Sequence, residues 1–160
     1  MSTYRPSDTL PALEDANIAI VQARWNSHIT DALAAGAMEV VDYYRKAVPA
    51  CTLEADVFYV PGTVELTFAA SKLIETGSYD AVVILGCVIR GDTPHFDYVC
   101  QSVTQGMTHL NSECDIPVVF GVITVNDEQQ ALDRAGGKVG NKGAEAMETA
   151  LHMIAFNRML

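Results

Sequence analysis

Positive charge is scarce in this chain: ten Lys and Arg stand against twenty Asp and Glu, a formal net charge of −10 over 160 residues. A nucleic-acid groove or an anionic membrane surface needs clustered cations, so neither nucleic acid nor membrane is expected as a partner. A small anionic substrate needs only a local cationic pocket and stays open. Long apolar runs are also missing, since none reaches the roughly 18 residues of a membrane-spanning helix. Met1 to Pro11 is polar and lacks the charged-then-apolar order of a secretory signal, which makes the cytoplasm the expected compartment. The four cysteines, Cys51, Cys87, Cys100 and Cys114, contain no C-x-x-C pair and suggest neither a zinc site nor a disulfide framework. They read as buried or half-buried thiols. There is no Ser/His/Asp arrangement, H-E-x-x-H, dense carboxylate cluster or G-x-G-x-x-G. The glycine-rich stretch 136–141 is not a phosphate loop, because Lys142 stands where glycine would be required and no strand leads into it. Hydrolase, metalloenzyme and dinucleotide readings therefore lose ground, and neither metal nor cofactor is expected.

What is present is a regular alternation. At 49% hydrophobic content the chain can build one full core and is too short for two comfortable ones. Residues 1–15, with Pro6 and Pro11 and little periodicity, read as an N-terminal arm, and 16–160 as a single domain. Apolar runs at 17–21, 53–60, 81–85 and 117–124 have strand length. Between them, Ile29, Leu33, Ala37, Val40, Val41 and Tyr44, then Val64, Leu66, Ala70, Leu73 and Ile74, then Phe96, Val99, Val103, Met107 and Leu110 recur at helical spacing. Two further helices are expected over about 127–134 and 143–160, with Asn26 or Ser27 available to cap the first helix. Strands apolar on both faces call for a parallel sheet covered on both sides. The expected fold is α/β, a flavodoxin-like three-layer sandwich with a four-stranded parallel sheet and helices on both faces.

Under that topology four polar turns gather at the carboxyl edge of the sheet: 23–26, 61–65, 86–95 and 124–126. Ligands of open parallel sheets bind there. The only tryptophan, Trp25, lies in such a turn, where it reads as an aromatic platform for a flat ligand or as a core residue. Glu65 falls in the first turn of its helix, and either cap chemistry or function would account for it. Asp92 and Thr93 precede Pro94, and their backbone amides can converge on an anion at a helix start. His95 follows at once and has the context of an acid/base group; His28, His109 and His152 fall inside helices as surface or packing residues. Arg134 reads as a cation at a helix C-terminus or as an anion ligand.

Taken together, Ala-Arg-Trp-Asn at 23–26, Val-Pro-Gly at 60–62 with Glu65, the stretch Gly86 to Tyr98, and Arg134-Ala135-Gly136 leading to Gly140-Asn141-Lys142-Gly143 resemble the lumazine synthase family of riboflavin biosynthesis. The resemblance runs from about Ile18 to the C-terminus. It implies a cofactor-free condensation of 5-amino-6-(ribitylamino)uracil with 3,4-dihydroxy-2-butanone 4-phosphate to 6,7-dimethyl-8-ribityllumazine, with phosphate and water leaving. By the same resemblance Trp25 stacks on the pyrimidine, Gly62, Thr63 and Glu65 hold the ribityl chain, and the backbone of Cys87, Val88 and Ile89 reads the pyrimidine edge. Asn26 and Val64 complete the substrate-binding set. The amides of Asp92 and Thr93 with the Arg134 guanidinium clamp the phosphate. His95 moves protons, Glu145 orients Arg134, and Phe120 and Lys142 come from a neighbouring subunit.

Three features depart from the family pattern. Val64 stands where many relatives carry an aromatic residue, and Leu66-Thr67 replaces a frequent aliphatic-Pro pair, which loosens the wall around the ribityl chain. Asp92 puts a carboxylate beside the expected phosphate; turned inward it would repel the anion. Family members form pentamers, and some build a sixty-subunit icosahedral shell. The short turn 136–141 lacks the insertion that obstructs shell contacts, so a shell is expected, with riboflavin synthase a possible partner inside it. The arm is expected to dock on a neighbour's sheet edge. Two rival readings are a lumazine- or flavin-binding protein without turnover and a shell acting mainly as a container.

Overall fold

The computed structural model describes residues 4–160. In chain order it runs β1 (Asp15–Ala23), α1 (Ser27–Ala47), β2 (Thr52–Val60), α2 (Leu66–Glu75), β3 (Ala81–Ile89), α3 (His95–Glu113), β4 (Val118–Val125), α4 (Glu128–Arg134), the short strands β5 (Ala135–Gly137) and β6 (Gly140–Asn141), and α5 (Lys142–Met159). β1 to β4 form one parallel sheet in the order β2-β1-β3-β4. This is the expected flavodoxin-like arrangement. Among the described residues no helix is long and apolar enough to cross a membrane.

The two-residue period of the strands divides the core in two. Ile18 and Ile20 of β1 face Leu33, Val40 and Val41 of α1 and Met147, Leu151 and Ile154 of α5. Ala19 and Val21 face the other way, onto Leu66 and Ala70 of α2 and Val103 and Leu110 of α3. Each strand residue is thus claimed by one helical layer. Leu33 is completely buried, and truncating it to alanine would cost about 2–5 kcal/mol. α1 and α5 approach closely through Gly143, where a Cβ would lie 1.9 Å from the Leu33 carbonyl oxygen. Asn141 fixes that crossing: its Oδ1 accepts from the amides of Gly143 (2.8 Å) and Ala144 (3.1 Å), capping α5, while its Nδ2 donates to the Ala32 carbonyl at 2.9 Å.

Local details differ from the sequence reading. β3 continues past Leu85 to Ile89, because its ladder with β4 persists through Cys87↔Ile123, Val88↔Thr124 and Ile89↔Val125. Cys87, Val88 and Ile89 are therefore strand residues rather than turn residues. Thr63–Glu65 form a separate 3-10 turn before α2. The glycine-rich stretch folds into the antiparallel β5–β6 ribbon, with Gly136 and Gly140 at positive φ; glycine makes those angles accessible. Asn26 occupies the cap position of α1 without a side-chain cap bond.

Residues 1–3 of the expected arm lie outside the described residues. The remainder runs along the chain's own α1 and α5. The buried Tyr44 hydroxyl accepts from the Leu13 amide (2.8 Å) and donates to the Pro11 carbonyl (2.7 Å). Glu148 of α5 accepts from the Tyr4 hydroxyl at 2.5 Å, from the Ser7 amide at 3.2 Å and from the Ser7 hydroxyl.

Candidate active site

The turn after β1 is tied to the end of β2 by backbone hydrogen bonds and to β3 by a side chain. The amide of Arg24 donates to the Val60 carbonyl (2.8 Å) and that of Trp25 to the Pro61 carbonyl (2.9 Å). Asn26 reaches the other way, its Nδ2 donating to the Cys87 carbonyl at 3.1 Å. Asn26 sits at φ 58, ψ 44, and among the described residues it is the only non-glycine with positive φ. Asparagine tolerates this left-handed conformation better than most residues. The side chain expected to cap α1 instead holds the β1 turn against β3.

Between these turns lies a cavity of about 390 Å³ lined by Trp25, Asn26, Thr63, Val64, Glu65, Cys87, Val88, Ile89, His95 and Val99. Nine of these ten are residues that the sequence singled out. Val99 was read only as part of a helix stripe; it lies one turn after His95 and shares its face of α3. Trp25 is 67% exposed, so it is not a core residue. The indole rests on Gly62, where a Cβ would come within 2.5 Å of Trp25 Cε3. Glu65 accepts from the Gly62 amide at 3.0 Å through Oε2, so its carboxylate stabilises the 61–65 turn while lining the cavity. Burial, with the Glu128 carboxylate adding to it, raises the Cys87 thiol to about 11 and keeps it protonated near neutral pH.

The other anticipated residues lie around this cavity without lining it. Asp92 and Thr93 are exposed in the turn before α3, where Thr93 Oγ1 accepts from the His95 amide at 3.4 Å. Arg134 ends α4, and its Nη1 donates to the Gln130 carbonyl at 3.1 Å, as a helix-terminal cation does. Glu145 Oε2 pairs with Lys142 Nζ at 2.7 Å, both on the first turn of α5. Phe120 is half-buried on β4 against the α2–α3 core.

A strand-end cavity with an exposed indole, a carboxylate, a histidine at a helix start and free amides beside it suits a flat polar ring joined to an anionic partner. The family model for 6,7-dimethyl-8-ribityllumazine synthase matches residues 15–158, which takes in the whole sheet and every one of these turns. The chain belongs to the 6,7-dimethyl-8-ribityllumazine synthase family. It is 48% identical over 150 residues to the 6,7-dimethyl-8-ribityllumazine synthase of Parabacteroides distasonis, covering 94% of this chain and 91% of that one. The synthase of Phocaeicola vulgatus is 47% identical over 153 residues (96% and 89%), and that of Micrococcus luteus 52% over 151 (93% and 89%). Membership in the lumazine synthase family makes this chain a transferase of riboflavin biosynthesis.

Proposed function

We propose that the 390 Å³ cavity is where this chain condenses 5-amino-6-(ribitylamino)uracil with 3,4-dihydroxy-2-butanone 4-phosphate. The observation that carries the assignment is the convergence of Trp25, Glu65 and His95 from three separate elements on one cavity beside the 92–93 turn. The pyrimidine stacks on Trp25, the carbonyl edge of Cys87 to Ile89 reads its polar rim, and Asn26, Gly62, Thr63, Val64 and Glu65 enclose the ribityl chain. The amides of Asp92 and Thr93 with the Arg134 guanidinium take the phosphate. The substrate's amine adds to the ketone and water departs as the Schiff base forms. Phosphate elimination and ring closure follow, with His95 relaying protons. Most of the acceleration comes from holding an amine and a carbonyl in register.

The site is completed by a neighbouring subunit that supplies Phe120 and Lys142, with Glu145 orienting Arg134 once that interface forms. Phe68 of α2 and Tyr98 of α3, 71% and 67% exposed in the isolated chain, mark an apolar surface that a pentamer would cover. In the arm, residues 1–15, Tyr4 to Leu13 are held against the chain's own domain 16–160 through Tyr44 and Glu148, so reaching the free edge of another copy's β2 would require the arm to release those contacts on assembly. Closure into a sixty-subunit shell, residence in the cytoplasm and association with riboflavin synthase belong to the same reading. Sedimentation at five times the 17.3 kDa chain or at shell mass supports the assembly; a monomer counters it. The activity is tested by following lumazine absorbance after mixing both substrates with purified protein. Product formed well above the spontaneous rate, and lost in Arg134→Ala at low butanone phosphate, is expected. Tight pyrimidine binding without acceleration would make the chain a ligand-binding protein instead.

A further inference from the structure

His95 lines the cavity, yet its own surroundings do little to hold it. Gly91 to His95 are exposed, a Cβ built on Gly91 meets nothing within 4 Å, and Pro94, at the cap position of α3, makes no side-chain cap bond. Among the described residues no hydrogen bond or ion pair engages the His95 imidazole; its amide donates to Thr93 Oγ1 at 3.4 Å. The ring therefore goes where the first turn of α3 puts it. The next two residues of that turn, Phe96 and Asp97, both meet Arg90, an exposed cation just after β3 that the proposed reaction does not use. The Arg90 guanidinium carbon lies 4.2 Å from the centre of the Phe96 ring, and its Nη1 is 3.6 Å from Asp97 Oδ1. At its other contacts Arg90 is tied to the end of β4: its amide donates to the Val125 carbonyl at 2.9 Å and its Nε to Asn126 Oδ1 at 3.2 Å.

We propose that Arg90 is a positioning residue for His95: by tying Phe96 and Asp97 to the ends of β3 and β4 it fixes the first turn of α3, and with it the imidazole at the cavity. The inference rests on the reading that His95 relays protons in the condensation. A relay works only within hydrogen-bond reach of the reacting group, and a displacement of about 1 Å can slow a reaction by orders of magnitude. The Arg90–Asp97 ion pair is exposed and would contribute little alone. What makes the brace is the combination, in which the guanidinium stacks on Phe96 while its nitrogens reach Asn126 and Asp97. Only a planar, multiply donating cation fits those contacts, so lysine would not replace it. Arg90 does not line the cavity, and its loss should leave pyrimidine binding alone.

The test uses the full-length assembled protein, with kcat from lumazine absorbance and pyrimidine affinity from fluorescence of Trp25, the only tryptophan. Arg90→Ala and Arg90→Lys are each expected to lower kcat roughly tenfold while pyrimidine affinity stays unchanged. Asn126→Ala, at an exposed position, should act in the same direction and carries the test if the Arg90 variants fail to assemble. Crystal structures of the variants should show the first turn of α3 shifted from its place beside β3. In a His95→Ala background the Arg90 and Asn126 substitutions should slow turnover no further, because the group they position is gone. Normal kcat in Arg90→Lys would show that a positive charge suffices and would overturn the proposal. So would a first turn that stays in place, a parallel loss of pyrimidine affinity, or an undiminished effect in the His95→Ala background. If His95→Ala slows turnover and the Arg90 and Asn126 variants do not, only this inference falls. If His95→Ala leaves kcat intact, the proton-relay assignment falls and this inference with it.

Discussion

Gly62→Ala isolates the role of the Trp25 platform. Gly62 has φ −137 and ψ −178, extended backbone that alanine adopts without strain, so the substitution acts only through the space its methyl needs. That methyl would lie 2.5 Å from Trp25 Cε3, 2.7 Å from Cζ3 and 3.1 Å from Glu65 Oε2. Carbon atoms rest at about 3.5 Å or more, so the indole must retreat by roughly 1 Å. Because Trp25 is 67% exposed it can do so by swinging outward, and the fold should be largely unaffected. What is lost is registry with the pyrimidine. A stacked aromatic pair contributes about 0.5–1.5 kcal/mol beyond its buried area, which corresponds to a weakening of roughly two- to tenfold. Titration calorimetry with the pyrimidine substrate measures this directly, and repeating it in a Trp25→Ala background closes a double-mutant cycle. If the methyl acts by displacing the indole, Gly62→Ala should be silent once Trp25 is gone. An equal loss in both backgrounds, or no loss in either, would refute the reasoning.

His95→Ala should lower kcat by about 10²-fold or more with pyrimidine affinity unchanged in the same calorimetry; a changed affinity with normal turnover would reverse the assignment. Gly143→Ala drives a methyl to 1.9 Å from the Leu33 carbonyl oxygen, a contact with backbone that cannot rotate away. It should cost about 1–3 kcal/mol or more of stability, read as a lower urea midpoint at fixed protein concentration. Cys87 keeps its proton in the folded chain up to about pH 11, whereas in the unfolded chain it ionises near its ordinary value of 9.0. Between those values the unfolded state binds fewer protons, so the Cys87 contribution to stability is intact below about pH 9 and declines as pH rises toward 11. Comparing urea midpoints of the parent and Cys87→Ala across that window should show the parent losing more.

The fold was legible because its helices announce themselves by period and its strands as short continuous apolar runs, which suit a sheet covered on both faces: Ile18 and Ile20 of β1 meet one helical layer, Ala19 and Val21 the other. Boundaries were harder to read. Gly86 made β3 look finished at Leu85, yet the apolar Cys87, Val88 and Ile89 carry it on to Ile89 through the partner ladder on β4. The β5–β6 ribbon was hidden for a related reason, since glycines mark a turn without stating whether its arms pair. At the cavity, the residues read from turn position came together because they follow from the rule that ligands sit at strand carboxyl ends. What stayed invisible are contacts between distant residues. Nothing near Asn26 signals that its amide answers Cys87 rather than its own helix, and nothing near Arg90 points to Asn126, 36 residues on.

The most direct test of the account is a crystal structure of the assembled protein soaked with the pyrimidine substrate and inorganic phosphate. The account predicts the pyrimidine ring stacked on Trp25, with its polar edge along Cys87 to Ile89, and a phosphate held by the amides of Asp92 and Thr93 together with Arg134. A pyrimidine bound away from Trp25, or a phosphate that avoids the 92–93 turn, would contradict it.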